Sequence, residues 1–337
     1  MLTAISAIFV FMMVILFHEF GHFIVAKMVG IKVNEFSIGM GPKIFQKEKG
    51  ETKYSIRVLP IGGYVSMEGE DENSDDPRSF NKVSAISRIG VVAAGAIMNF
   101  LLAIIVFSIV SFNIGVPMTT ISETIKDSPA EKSGIQSGDQ ILSINGKETN
   151  EWDSIVEEIS KANPDKKMQI TILRDEEKID YYIKPEVNEE NRLIIGIAPI
   201  VKKSFFSSIK EGFQKTGFML KLMFDFISMA FSGKVSTKDL SGPVGVIYTI
   251  GEAAKYGIIN LFYLMGFISV NLGFFNLLPL PALDGSRIVF LLIEIIRGKP
   301  INPEKEGFIH FVGFVLLIAL MVFVTYSDII RFNLFRR

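Results

Sequence analysis

The chain contains no cysteine. Disulfides and thiolate metal sites are therefore excluded. Histidine is also scarce, with three in 337 residues. Net charge is nearly absent, 35 Lys+Arg standing against 36 Asp+Glu, so no bulk field points to nucleic acid. The N-terminus lacks a basic region and a clear small-residue cleavage site, so the first segment is expected to be a retained helix rather than a removed signal. Charge is missing locally as well. No charged residue occurs from Ile89 to Ser122 or from Tyr256 to Leu283, and between Gly307 and Ser327 only His310 has a side chain that ordinarily ionises near neutral pH.

What fills these stretches is apolar: the chain is 49% hydrophobic, with 29 Phe and 14 Met. A spanning helix needs about 20 apolar residues. All three runs reach that length, and Leu2 to Val29 makes a fourth despite its polar centre. The expected fold is thus a polytopic α-helical membrane protein with about four transmembrane helices, near 2–29, 89–113, 258–282 and 308–330. Loop 30–88 carries nine Lys/Arg while none precedes the first helix. By the positive-inside tendency that loop is cytoplasmic, the N-terminus outside, and the 116–255 region extracytoplasmic. The basic tail "RFNLFRR" falls outside in this topology and argues against it, but early segments usually dominate orientation.

Loop 30–88 alternates in short stretches broken by Gly-Met-Gly-Pro and Gly-Gly, a hairpin pattern. Its acidic part, residues 70–78, reads as a solvated excursion. Residues 116–187 alternate strand-like and helical runs around "SPAEKSGIQSGDQILSINGKE". There Gly134, Gly138 and Asn145-Gly146 mark tight turns, Ile141, Leu142 and Ile144 a short buried strand, and Ile135 a further core contact. In residues 202–234, Phe205, Phe206, Ile209, Phe213, Phe218, Leu222 and Phe226 recur at near-helical spacing between lysines. That pattern predicts an amphipathic helix in the membrane interface, with a fifth, shorter span as the rival. The domains expected are residues 1–113 and 257–337 as two parts of a membrane core, 114–190 as an inserted α+β domain, and 191–256 as a linker with the amphipathic helix.

Polar chemistry concentrates in "MMVILFHEFGHFIVAKMVG", residues 12–30. His18-Glu19-Phe20-Gly21-His22 is an H-E-x-x-H pattern. On a helix, residues i and i+4 share a face, so both imidazoles can bind one metal ion. Glu19 sits beside them, placed to take a proton from the attacking water. Ionisable groups inside a spanning helix are expensive, and their presence points to function. A hydrolytic zinc site has three protein ligands. His310, near the start of the fourth helix, is one candidate for the third. Asp284 is the better one: it follows directly on a charge-free run, and Pro279 and Pro281 break regular helix just before it, which is tolerable only inside protein or against a cavity.

His18-Glu19-Phe20-Gly21-His22 in a first helix, with Asn276, Pro279, Pro281, Asp284 and Gly285 as N-x-x-P-x-P-x-x-D-G in a later one, resembles the site-2 protease family of intramembrane zinc metalloproteases. The resemblance runs over nearly the whole chain, in the order of bacterial enzymes of regulated intramembrane proteolysis with one PDZ-like insert. It implies one Zn²⁺ ion on His18, His22 and Asp284, with Glu19 as general base. It implies a role for Asn276 in positioning substrate or stabilising the oxyanion. The loop with "GMGP" and "PIGGYV" looks like the family's membrane re-entrant β-hairpin, so Gly62, Gly63 and Tyr64 are expected at the edge where an unwound substrate adds as a strand. The insert resembles PDZ domains, which bind extended chain ends; it could equally exclude bulky ectodomains. The resemblance further implies single-span membrane-protein substrates such as anti-sigma factors or remnant signal peptides. It also implies an upstream site-1 protease, a bilayer partner, no nucleic acid, and a bacterial plasma membrane with the active site toward the cytoplasm. A non-catalytic PDZ scaffold or quality-control receptor is the alternative, although a degenerate relative would be expected to lose Glu19. A metal or proton transporter would need intramembrane acids along several helices, and helices two and four have none within their apolar runs.

Overall fold

The computed structural model describes residues 1–70, 74–188, 190–234 and 241–331, apart from the side chains of Ile61 and Pro303. The expected tail beyond Arg331 and the centre of the acidic excursion, residues 71–73, lie outside the described residues. The chain forms two compact units, Met1–Val110 with Ile209–Arg337, and Ser111–Ser208.

In chain order, the first unit opens with α1 (Leu2–Met28), β1 (Val33–Lys49), β2 (Thr52–Met67) and α2 (Ala85–Ile114). The second contains β3 (Val116–Thr124), α3 (Pro129–Lys132), β4 (Gln140–Ile144), β5 (Lys147–Glu148), α4 (Trp152–Ser160), β6 (Met168–Arg174), β7 (Glu177–Ile183), β8 (Glu186–Val187), β9 (Leu193–Ile194) and β10 (Ile197–Lys202). The chain then returns through α5 (Phe205–Phe231), α6 (Pro243–Lys255), α7 (Ile258–Leu277), α8 (Asp284–Arg297) and α9 (Pro303–Arg331). Among the described residues, four helices are long and apolar enough to cross a membrane: Leu2–Met28, Ala85–Ile114, Ile258–Leu277 and Glu304–Arg331.

Helix ends follow local chemistry. α2 begins before the charge-free run because the Ser84 hydroxyl accepts the Ser87 backbone N–H at 3.1 Å, a side-chain cap. α9 begins earlier than expected because Asn302 caps Glu304 N–H at 2.8 Å and Pro303 occupies the first helical position. The third span is shorter than 258–282. Leu278, which precedes Pro279, takes an extended backbone with ψ 144°, as a residue before proline prefers. α7 therefore stops at Leu277, and Asp284 opens a separate helix instead of closing the third span.

α1 packs against α2, α6 and α7 through Val10, Val14, Leu102, Val106, Ile250 and Met265. α6 has no counterpart in the sequence reading. The buried Asp328 carboxylate on α9 accepts its Gly245 N–H at 2.8 Å and so serves as the cap its N-terminus lacks. α5 matches the expected amphipathic helix in extent. Its Met219 and Leu220 join a cluster with Phe107 and Val270, and Phe224 meets Phe274 edge-on at 5.0 Å, so one face is engaged by other helices. Phe205, Phe206, Phe213 and Phe218 on the same helix are exposed.

β1 and β2 form a folded-back hairpin. Residues 35–38 of β1 pair on one side with 63–66 of β2 and on the other with 53–56, and 43–49 pair with 52–57. Four segments result, with 63–67 at one edge. The expected solvated excursion is tied down at its described ends: Glu70 pairs with Arg287, and Asp76 holds Lys32 at 3.1 Å.

The second unit has strand order β10-β3-β4-β6-β7. Its core holds Ile121, Ile135, Ile141, Ile144, Ile155 and Ile170, while Leu142 is only half-buried. β10 lies beyond the expected boundary at 190 and pairs with β3, so this unit runs to Ser208 and the linker is correspondingly shorter. Strand pairing across 80 residues has no local signal in the sequence.

Candidate metal centre

His18 and His22 project from one face of α1 and are both buried, with rings 4.8 Å apart and nearly perpendicular. The turn between α7 and α8 delivers the third group. Leu280 N–H donates to Leu278 O at 2.7 Å, Leu283 N–H donates to Leu280 O at 3.1 Å, and Ala282 sits at φ 73°. Asp284 then enters in the first turn of α8.

Three potential ligand atoms meet here. His18 Nε2 and His22 Nε2 are 3.2 Å apart, and Asp284 Oδ2 is 3.2 Å from the first and 3.5 Å from the second. Ligands about 2.1 Å from a tetrahedral Zn²⁺ are separated by about 3.4 Å along each edge, so this triangle has the right size to cap one ion. Asp284 Oδ2 is buried and within reach of both rings, yet hydrogen-bonded to neither. An orphaned buried carboxylate oxygen facing two ring nitrogens fits a cation between them.

α2 backs the pair. His22 Nδ1 lies 2.9 Å from Val91 O. A carbonyl only accepts, so Nδ1 carries the proton and the lone pair of a neutral ring stays on Nε2, facing the triangle. His18 Nδ1 lies 3.3 Å from Asn99 Nδ2. Between these two contacts comes Gly95, where an added Cβ would stand 2.4 Å from His22 Nε2 and 2.7 Å from His18 Cε1. Only a residue without a side chain allows the helices this close. Val91, Gly95 and Asn99 were missed in the sequence; the available signal was a glycine and an amide four residues apart inside an apolar run.

The other expected residues divide. Asn276, in the last turn of α7, brings Nδ2 to 3.5 Å from His18 Nε2. Gly63 lies on the hairpin edge beside Glu19, since a Cβ there would be 3.4 Å from Glu19 Cγ. Gly62, at φ 94°, packs on Met40 instead. The Tyr64 hydroxyl engages Arg57, which also bonds Glu35 at 2.8 Å and Ser37 at 3.0 Å. Burial alone would raise the Glu35 carboxyl, but the Arg57 guanidinium bonded to it and the Tyr64 hydroxyl nearby hold it down at about 2. His310 does not join the triangle: its Nδ1 accepts the Ala282 N–H. A cavity of about 470 Å³ lined by Asp284, Arg287, His310, Phe311 and Phe314 opens beside the carboxylate, offering room for water.

The chain matches the family model of peptidase family M50 over residues 6–320. It is 34% identical to the regulator of sigma-W protease RasP of Bacillus subtilis, with 98% of each chain covered. It is also 34% identical to the zinc metalloprotease RasP of Bacillus licheniformis, over 98% of this chain and 99% of that one. Among solved structures, the PDZ domain of an SdrC-like protein from Listeria monocytogenes covers 26% of this chain and 87% of its own, at 20% identity and a TM-score of 0.22.

Proposed function

The chain belongs to peptidase family M50, and on that premise we propose that His18, His22 and Asp284 hold its zinc while Glu19 moves the proton. It is an intramembrane zinc metalloprotease that hydrolyses peptide bonds in membrane-protein substrates, and its place is the plasma membrane. The observation that carries the residue assignment is the triangle of His18 Nε2, His22 Nε2 and Asp284 Oδ2, with edges of 3.2, 3.2 and 3.5 Å.

Zinc bound there supplies Lewis acidity toward the scissile carbonyl and the attacking water. Glu19, adjacent in sequence to His18 and beside the hairpin edge, takes a proton from that water as its oxygen attacks the carbonyl carbon. It returns the proton to the departing amine nitrogen as the C–N bond breaks. The Asn276 amide, 3.5 Å from His18 Nε2, donates to the oxyanion as it develops. Burial of both imidazoles between α1 and α2 keeps bulk water from competing.

A helical substrate hides its carbonyls, so it must be unwound before hydrolysis. The β2 edge at Gly63 supports addition of an extended substrate strand alongside Glu19. The nine Lys/Arg of loop 30–88 support a cytoplasmic position for that loop and the site. The inserted domain is then extracytoplasmic and receives substrates already trimmed by a site-1 protease. A non-catalytic scaffold finds no support, because Glu19 stands beside both imidazoles.

The test is Glu19→Gln in proteoliposomes carrying a single-span substrate. Cleavage should fall at least 1,000-fold, about the scale of a lost general base plus its charge, while zinc content stays at the wild-type level. Undiminished cleavage by the variant, with contaminating proteases excluded, overturns the assignment.

A further inference from the structure

The two imidazoles are supported differently on their outer sides. His22 Nδ1–H has the Val91 carbonyl at 2.9 Å, an acceptor that leaves its tautomer no choice. His18 Nδ1 has the Asn99 side chain, whose Nδ2 stands 3.3 Å away. Asn99 is 0% exposed, and among the described residues its Oδ1 has no hydrogen-bond partner. Its backbone is fixed, since the Ser269 hydroxyl on α7 donates to Asn99 O at 2.8 Å.

An amide can face His18 in two ways. With Nδ2 toward the ring, it donates to a bare Nδ1. The proton of the neutral ring must then sit on Nε2, the atom aimed at His22 and Asp284, and ligation is blocked. With Oδ1 toward the ring, it accepts from Nδ1–H, and Nε2 is free to bind a cation. A half-turn of the amide interchanges the two at no cost in volume. It also gives the orphaned Oδ1 its partner. Aspartate could serve only the second arrangement and leucine neither, so asparagine is the residue that satisfies His18 both with and without metal.

We propose that Asn99 is a positioning residue that selects the metal-binding tautomer of His18, its amide turning to present oxygen to Nδ1–H when the ion is bound. This rests on His18 being a zinc ligand. The residue touches neither substrate nor metal and acts through the imidazole alone.

The test uses the full-length protein in detergent, with zinc affinity measured by competition against a chromophoric chelator and geometry followed in the visible spectrum of the Co²⁺-substituted form. Asn99→Leu should weaken zinc binding about 10–100-fold, the usual loss when a ligand's outer partner is removed, and should alter the cobalt spectrum. Asn99→Asp should bind within about threefold of wild type, or tighter, because it keeps the acceptor. Wild-type affinity in Asn99→Leu overturns the proposal. If Asn99→Leu lowers the melting temperature of the metal-free protein, Asn99→Asp decides alone: a tenfold or larger loss there overturns it, whereas retention leaves only the acceptor role standing. His18→Ala separates the two levels. If it keeps wild-type affinity, the ligand assignment itself fails; if it loses zinc while Asn99→Leu does not, only the role of Asn99 fails.

Discussion

His310 Nδ1 accepts the backbone N–H of Ala282 at 3.1 Å, so α9 holds the turn that delivers Asp284. Ala282 needs holding: at φ 73° it is in the left-handed region, which costs a residue with a Cβ about 1–2 kcal/mol. Two residues later comes the proposed ligand. Removing the acceptor with His310→Leu should let the turn relax and weaken zinc retention about tenfold, in the range of lost outer-shell partners. Adding Ala282→Gly should recover part of that loss, because glycine adopts this backbone without strain. Chelator competition on both variants checks it, and an unchanged affinity in His310→Leu would show the turn to be self-supporting.

Gly95→Ala tests the closeness of α1 and α2. The new methyl group would need to stand 2.4 Å from His22 Nε2, so the ring or the helix must move by about 1 Å. A misplacement of that size costs on the order of 100-fold in rate. Cleavage of a single-span substrate should fall by that factor. Gly90→Ala, where the nearest atom is a flexible Val25 methyl at 4.0 Å, should leave the rate within about twofold of wild type; equal losses in both variants would refute a specific role for the gap.

Asp284→Asn exchanges the charged oxygen of the triangle for a neutral amide of the same shape. Zinc content after dialysis should drop below about a tenth of wild type, since structural affinity depends on ligand charge and donor type. The variant should stay folded, because among the described residues Asp284 Oδ2 makes no hydrogen bond that the substitution removes. Full zinc occupancy in Asp284→Asn would remove it from the ligand set and return attention to His310.

The parts of this site legible in the sequence are those with local spacing. His18 and His22 stand one helical turn apart, and Asp284 follows two prolines that end an uncharged run, so each announces itself within a short window. The contribution of α2 is of another kind. Val91 supplies a backbone carbonyl, which any residue has, and Gly95 supplies the absence of a side chain. Neither carries a chemical label. The split of the third span into α7 and α8 was foreshadowed by Pro279 and Pro281, but the proline effect acts on Leu278, one residue upstream. β10 and α6 were invisible for a different reason. One is defined by pairing with β3 across the domain, the other by Asp328 at the far end of α9, and neither partner lies within any local window.

The hairpin has its own electrostatic clasp, which makes its stability depend on pH. Glu35 on the central segment, Arg57 on the next and Tyr64 on the edge are joined by Arg57, whose guanidinium also lies 5.0 Å over the Tyr64 ring. Burial raises the Glu35 carboxyl, but the Arg57 guanidinium bonded to it and the Tyr64 hydroxyl nearby outweigh burial and set the value at about 2, below the ordinary 4.5. A carboxyl depressed in the folded state stabilises it fully above the unfolded value, and that contribution is lost as pH falls from about 4.5 toward 2. Hydrogen exchange of residues 33–67 should therefore be constant from pH 7 to pH 5, after correction for the intrinsic rate, and lose protection below pH 4.5. Glu35→Gln should lower protection at neutral pH, because it leaves Arg57 without its counter-charge, and should flatten the acid limb. Acid sensitivity that persists unchanged in Glu35→Gln would assign it to another carboxyl. Because the edge strand beside Glu19 hangs on this clasp, the variant should raise KM for an unwound substrate more than it lowers kcat.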